Sequence, residues 1–304
     1  MKPIALFILL LISIYNNQAQ VNLQWAKKIG STTTDRAISM TIDGSGNVMT
    51  TGLFSGTVDF DPGSGTFTMT ANANDNMYVC KLDANGGFLW AKQFLCNTTN
   101  AFAHSVDVCS DAFGNTYITG WFRGTVDFNS GNTSYTLAST GQYDAFVCKF
   151  DPSGNFLWVK SFSGEESLGI SIATDISGNV FTSGSFYGVV DFDPGTTTYT
   201  LAGGVGGEGF ISKLDASGNF VWALSIVGSN SYNFVTGISI DNSGNVLTTG
   251  QYRNTVDFDP NGGTFNLTAM GGNDMFALKL AQSSPLPVEL ISFDATCHGE
   301  KGVY

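Results

Sequence analysis

The chain has 304 residues, ample for a sizeable hydrophobic core, and 42% of them are hydrophobic. It carries 13 basic against 25 acidic side chains, a net charge of −12, which leaves no basic footprint for nucleic acid and little attraction to an anionic membrane surface. The 37 glycines are spread through turns rather than run together, which excludes a low-complexity linker.

Taken from the start, residues 1–19 read as a secretory signal peptide. Lys2 precedes an apolar run over residues 4–14, too short to span a bilayer, and Ala19 stands before a polar beginning. The expectation is a secreted chain, extracellular or on the outer cell surface, with no membrane insertion after signal cleavage. Next comes Leu23-Gln24-Trp25-Ala26-Lys27-Lys28, a lone strand of the kind that later ends each repeat.

From there one unit recurs. Val58-Asp59-Phe60-Asp61-Pro62 returns as Val126-Asp127-Phe128-Asn129, Val190-Asp191-Phe192-Asp193-Pro194 and Val256-Asp257-Phe258-Asp259-Pro260, at steps of 68, 64 and 66 residues. Trp25, Trp90, Trp158 and Trp222 keep the same beat at 65, 68 and 64. Two markers in phase indicate one structural unit copied four times. The units run over about 30–94, 95–162, 163–226 and 227–281, within a domain covering 20–281.

Each unit predicts two hairpins and an arm. In the fourth, Gly237-Ile238-Ser239-Ile240 meets Asp241-Asn242-Ser243-Gly244-Asn245 and continues as Val246-Leu247-Thr248-Thr249-Gly250, two β-rich runs around a turn in which glycine supplies positive φ. A second hairpin is cleanest at Lys213-Leu214-Asp215, Ala216-Ser217-Gly218-Asn219 and Phe220-Val221-Trp222. Between the hairpins the Val-Asp-Phe-Asp segment goes out and back as an added arm, which lengthens the unit. No segment carries a capped amphipathic helical period. The fold class expected is all-β: a β-propeller of four large (~66-residue) repeats closed by the N-terminal strand, with 23–29 completing the last blade. The alternative is an open arc that closes by pairing with another chain.

The five cysteines do not form a framework. Cys80 and Cys148 share one repeat position and read as packing residues; Cys96 and Cys109 flank a stretch peculiar to the second unit and are the candidate disulfide. Cys297 lies in the tail.

These residues carry a family likeness. Asp144 with Phe146-Val147, Phe210 with Lys213-Leu214-Asp215, and Asp241 with Ser243-Gly244-Asn245-Val246 hold a pattern, over roughly 23–280, that resembles the bacterial β-propeller repeat first named for seven-bladed members. The Val-Asp-Phe-Asp-Pro-Gly arm resembles the variety in secreted proteins of type IX-exporting bacteria. Ser284-Pro285-Leu286-Pro287-Val288-Glu289-Leu290 is similar to the junction before a type IX C-terminal sorting region. The resemblance implies that 282–304 is a linker and truncated C-terminal segment, and that the address is the cell surface.

Chemistry is sparse. Only two histidines occur, His104 and His298, and no Ser/His/Asp or Cys/His arrangement can be built from the copies; His104 reads as a loop residue. The paired carboxylates Asp59 with Asp61, Asp191 with Asp193, and Asp257 with Asp259 sit two residues apart, on one side of a strand, and are the candidate calcium ligands. A plainer role is an Asp-Pro-Gly turn capped by its own carboxylate. Ligand binding is sought where copies differ. After each Thr-Gly or equivalent step the middle residue is aromatic and expected in the core; the flanking Trp121, Arg123, Tyr187 and Arg253 vary and are the candidate binding residues. The function expected is a non-enzymatic repeat scaffold for protein or glycan binding and adhesion, without cofactor. Two other readings are an extracellular glycan-active hydrolase using the arm carboxylates, and a calcium-stiffened structural module.

Overall fold

The computed structural model describes residues 21–282, apart from residues 74, 98–100, 132 and 205. The expected signal peptide and the tail beyond residue 282 lie outside the described residues. All regular structure within them is β; no helix there is long and apolar enough to cross a membrane.

The first sequence unit opens with β1 (Arg36–Ile42) and β2 (Val48–Phe54), throws out an arm of β3 (Thr57–Asp59) and β4 (Thr68–Thr70), and returns as β5 (Asn76–Leu82) and β6 (Phe88–Gln93). The long strands form an antiparallel sheet ordered β1-β2-β5-β6, with the arm a separate hairpin. The second unit repeats this. A short β7 (Leu95–Cys96) leads into β8 (Phe102–Ser110) and β9 (Thr116–Arg123). Its arm is β10 (Thr125–Asp127) with β11 (Thr136–Ala138), and it returns as β12 (Asp144–Phe150) and the first half of β13 (Phe156–Thr174). The third unit uses the second half of β13, then β14 (Val180–Asp191), the arm strand β15 (Thr200–Ala202), β16 (Glu208–Leu214) and the first half of β17 (Phe220–Ile240). The second half of β17, β18 (Val246–Asp257), β19 (Asn266–Thr268) and β20 (Asp274–Leu280) make up the fourth.

The expected unit borders near 162 and 226 fall inside β13 and β17, which run unbroken from the outer strand of one unit to the inner strand of the next. β13 pairs first with β12 and then with β14; β17 pairs first with β16 and then with β18. The last three units are thereby hydrogen-bonded into one curled eleven-stranded sheet.

Local chemistry explains the hairpins. At each turn an aspartate caps its own loop: Asp43 Oδ1 accepts from Ser45 N and Asn47 N at 2.9 and 3.0 Å, and Asn47 Nδ2 donates back to Oδ2 at 2.8 Å. The same three bonds recur from Asp111, Asp151, Asp175, Asp215 and Asp241. The arms fold back for a different reason. Val58 and Phe60 are buried, and Phe60 meets Phe54 edge-on at 5.3 Å. Phe122 with Phe128, Phe186 with Phe192, and Tyr252 with Phe258 repeat that contact at 5.4, 5.4 and 5.3 Å. Edge-to-face pairs of this kind contribute about 0.5–1.5 kcal/mol beyond the area they bury. The middle aromatic after each Thr-Gly step is therefore core, as its constancy predicts.

Successive units pack face to face. Met49, Leu53 and Val79 of the first share one core with Ala103, Val108 and Phe146 of the second. The repeated tryptophan bridges units: Trp90 Nε1 donates to Pro152 O at 3.1 Å and Trp158 Nε1 to Ala216 O at 3.4 Å. Trp25 Nε1 makes the equivalent bond to Ala84 O at 3.0 Å, so residues 23–29 lie against the first unit. They do not pair with β20. Among the described residues β20 pairs with β18 alone, and no ring closure is seen.

Candidate functional site

The four residues expected to bind ligand, Trp121, Arg123, Tyr187 and Arg253, occupy equivalent stretches of second strands, Trp121 and Arg123 at the end of β9 and Tyr187 and Arg253 within β14 and β18, which places them at one level of the array. The register sets their neighbours. Trp121 lies opposite His104 and Arg123 opposite Phe102; Tyr187 faces Glu166, Arg253 faces Tyr232, and Leu53 faces Arg36. Arg123 and Arg253 are exposed, whereas Trp121 and Tyr187 are half-buried.

Two groups result. Around the second unit the His104 ring stacks on Trp121, with centroids 4.9 Å apart and planes 5° from parallel. Burial pushes the His104 pKa down and the charge of Arg36 acts the same way, against the opposing Ser105 backbone and Asp75. Its Nδ1 is buried with no hydrogen-bond partner among the described residues. His104 is thus a β8 strand residue, not the loop residue expected: the stretch peculiar to the second unit pairs with β9 like its counterparts. Beside it a cleft of about 400 Å³ is lined by Thr33, Thr34, Arg36, Leu53, Ser55 and Asp75.

The second group spans the third and fourth units. Burial raises the Tyr187 pKa, with the charges of Tyr232 and of its cross-strand partner Glu166 adding to it. Burial also raises the Glu166 carboxyl. Tyr232 meets Phe234 edge-on at 4.3 Å and stands opposite Arg253. Sequence comparison of second strands alone missed His104, Arg36, Glu166 and Tyr232, because these come from first strands. The signal was the cross-strand position, visible once register is known.

The arm carboxylates turn inward on their own backbone. Asp59 Oδ1 accepts from Asp61 N at 3.0 Å and Phe67 N at 2.8 Å, and Asp61 Oδ1 from Gly63 N at 2.8 Å. Asp191 takes Asp193 N and Tyr199 N, and Asp257 takes Asp259 N and Phe265 N, in the same way. Asp193 and Asp259 cap Gly195 N and Asn261 N at 2.8 and 2.9 Å. Asp61, Asp193 and Asp259 lie past the strand ends, in the turns, rather than on one strand face with their partners. The amides of Phe265 and Asp259 hold the Asp257 carboxyl below the usual carboxylate range, opposite to what a general acid needs. Among the described residues no group of three or more His, Cys, Asp or Glu side chains could hold a metal ion.

The expected Cys96–Cys109 bond is not formed; both are free thiols. β7 pairs Cys96 with Val126 of the arm, in the core between the first two units, whereas Cys109 lies at the far end of β8 and packs toward the next core. Cys80 and Cys148 are buried packing residues, and burial pushes the Cys80 thiol up to about 12.

No family model matches the chain. The chain is similar to an uncharacterized WD repeat-containing protein of Acanthamoeba polyphaga mimivirus, 22% identical over 225 residues, which covers 65% of this chain and 16% of that protein. Among solved structures, a protein of unknown function from Bacteroides caccae aligns over 70% of each chain at 13% identity, with a TM-score of 0.31. The repeat-bearing relative and the helix-free, curled sheet fit a β-propeller repeat protein.

Proposed function

We propose that this protein is a four-repeat propeller scaffold, secreted or held at the cell surface, that binds a glycan or protein at this level of the array without catalysing a reaction. The observation that carries this reading is the Trp121–His104 stack, with Arg123 two residues on in the same strand and the charge of Arg36 acting on His104. A flat aromatic pair with cationic neighbours offers stacking to a sugar face and charge-assisted hydrogen bonds to its carboxylate or sulfate groups. Such side chains also dominate protein–protein hot spots. The arm carboxylates support a structural role, since they cap backbone amides in every copy where a catalytic pair is needed once. The glycan-hydrolase and calcium readings rest on the same six aspartates, and nothing in their surroundings favours either.

The test is an array of glycans and envelope polysaccharides probed with the full chain, with and without calcium. A specific hit, lost by at least about tenfold in Trp121→Ala and unchanged by chelator, is the expected result. A hit that Trp121→Ala leaves intact moves the site off this level. Release of reducing sugar from a bound glycan would establish the hydrolase instead.

A further inference from the structure

The two ends of the array are complementary. Within it, residues that face the next unit are covered: Met77 is 1% exposed and Val79 is buried, and so are Ala145, Val147 and Ile211 at the same positions. In the fourth unit their counterparts are open. Met275 is 88% exposed and Ala277 is also exposed, beside a shallow apolar hollow of about 450 Å³ that Leu247 and Thr249 help to line. The opposite face shows the mirror situation. Val108 and Ile172 are 3% and 4% exposed where they meet the preceding unit, but Met40 at the same position of the first unit is 62% exposed.

Two further contacts are half-made. Arm aromatics pack at a tilt against the outer strand of their own unit: Phe67 on Phe88, Tyr135 on Phe156 and Tyr199 on Phe220, at 4.9, 5.3 and 4.9 Å between ring centroids. Phe265, the fourth in the series, is 62% exposed, and Leu23, which stands two residues before Trp25 as Phe88 does before Trp90, is 83% exposed. The bridging carbonyls inside the array take two donors each. Pro152 O accepts from Trp90 and, at 3.5 Å, from Lys81; Ala216 O accepts from Trp158 and, at 2.8 Å, from Lys149. Ala84 O has its tryptophan, Trp25, but no lysine among the described residues. Lys279, the matching lysine of the fourth unit, is ion-paired to Asp241 at 2.8 Å with its side chain 57% exposed.

We propose that a second copy of this chain docks head-to-tail on the fourth unit. The segment 23–29 of that copy becomes the outer strand beside β20, and its Met40 face covers Met275, Ala277 and Leu247. Leu23 then meets Phe265, and Lys279 reaches the Ala84 carbonyl. The interface so formed continues the one already built between successive units. Each copy gives one end and takes the other, and two copies bring eight units, the upper end of the roughly four-to-eight range in which such rings close, so the ring is a cyclic dimer.

The measurement is the mass in solution of the full chain by light scattering, with Met40→Glu, Met275→Glu and their equimolar mixture. Wild type is expected at twice the chain mass and each variant alone at the monomer mass. The mixture is expected to recover a one-to-one pair, because it retains one intact junction; that recovery also shows both variants folded. A wild-type monomer at every concentration, as when 23–29 closes on β20 of its own chain, overturns the proposal. So does a Met40→Glu variant that still dimerises alone, which would place the contact on one end only.

Discussion

Asp43 closes the first hairpin and also meets Lys81 Nζ at 2.9 Å, both side chains almost wholly buried. Burial alone would raise its pKa, but the bonds from Lys81, Asn47 and Ser45 outweigh it and hold the carboxyl at about 2. A folded pKa below the unfolded one adds stability that is complete above about pH 4, the ordinary carboxylate value, and is lost as the pH falls through about 2. Asp43→Asn leaves Lys81 buried without its counter-charge. We expect a loss of about 3–5 kcal/mol in urea titration at pH 7, with the gap to wild type closing as the pH falls from about 4 toward 2. The turn role of Asp43 was legible from Asp-Gly-Ser-Gly-Asn. Its ion pair was not, since Lys81 lies on a strand nearly forty residues on (about ten times the span of the turn) and reads in sequence as an ordinary strand lysine.

Elements repeat chemically but not in their surroundings. Gly154 and Gly178 hold the same turn position at φ of 80° and 78°. A Cβ at Gly178 finds its nearest neighbour at 3.6 Å, while one at Gly154 falls 2.6 Å from the Trp90 ring. Gly178→Ala therefore carries the left-handed backbone cost alone, about 1–2 kcal/mol. Gly154→Ala adds a clash with a ring locked between units, a further cost of about 1–3 kcal/mol. Denaturant midpoints of the two variants check that order. The hairpins and arms were legible because turn residues and alternation are contiguous in the chain. The continuity of β13 was not: Gly164-Glu165-Glu166 looks like a break, yet the strand continues because Ser163 and Gly164 pair with Asp191 and Val190 of the extended β14.

At the scale of the whole molecule, protection should follow position in the array. Interior strands such as β12 and β16 are covered on both faces, whereas β1 and β20 each leave one face open. In a stack of units, stability is the sum of intrinsic and neighbour terms, so end strands open at lower free energy than interior ones. Hydrogen exchange followed by mass spectrometry should show amides of β1 and β20 exchanging fastest among the long strands at low protein concentration. Their protection should rise as the concentration is raised, while that of β12 stays constant.

The period, the turns, the arms and the all-β class were settled by the residues alone. Each depends on side chains that act on backbone within a few positions, as Asp43 does on Asn47, or on an apolar alternation that one strand displays by itself. Which side chains share one level of the array, why Cys96 and Cys109 stay apart, and how the two ends are left open were decided only by tertiary structure. Those depend on strand register and on the packing of one unit's face against the next, and both join residues some 65 positions apart that no local pattern connects.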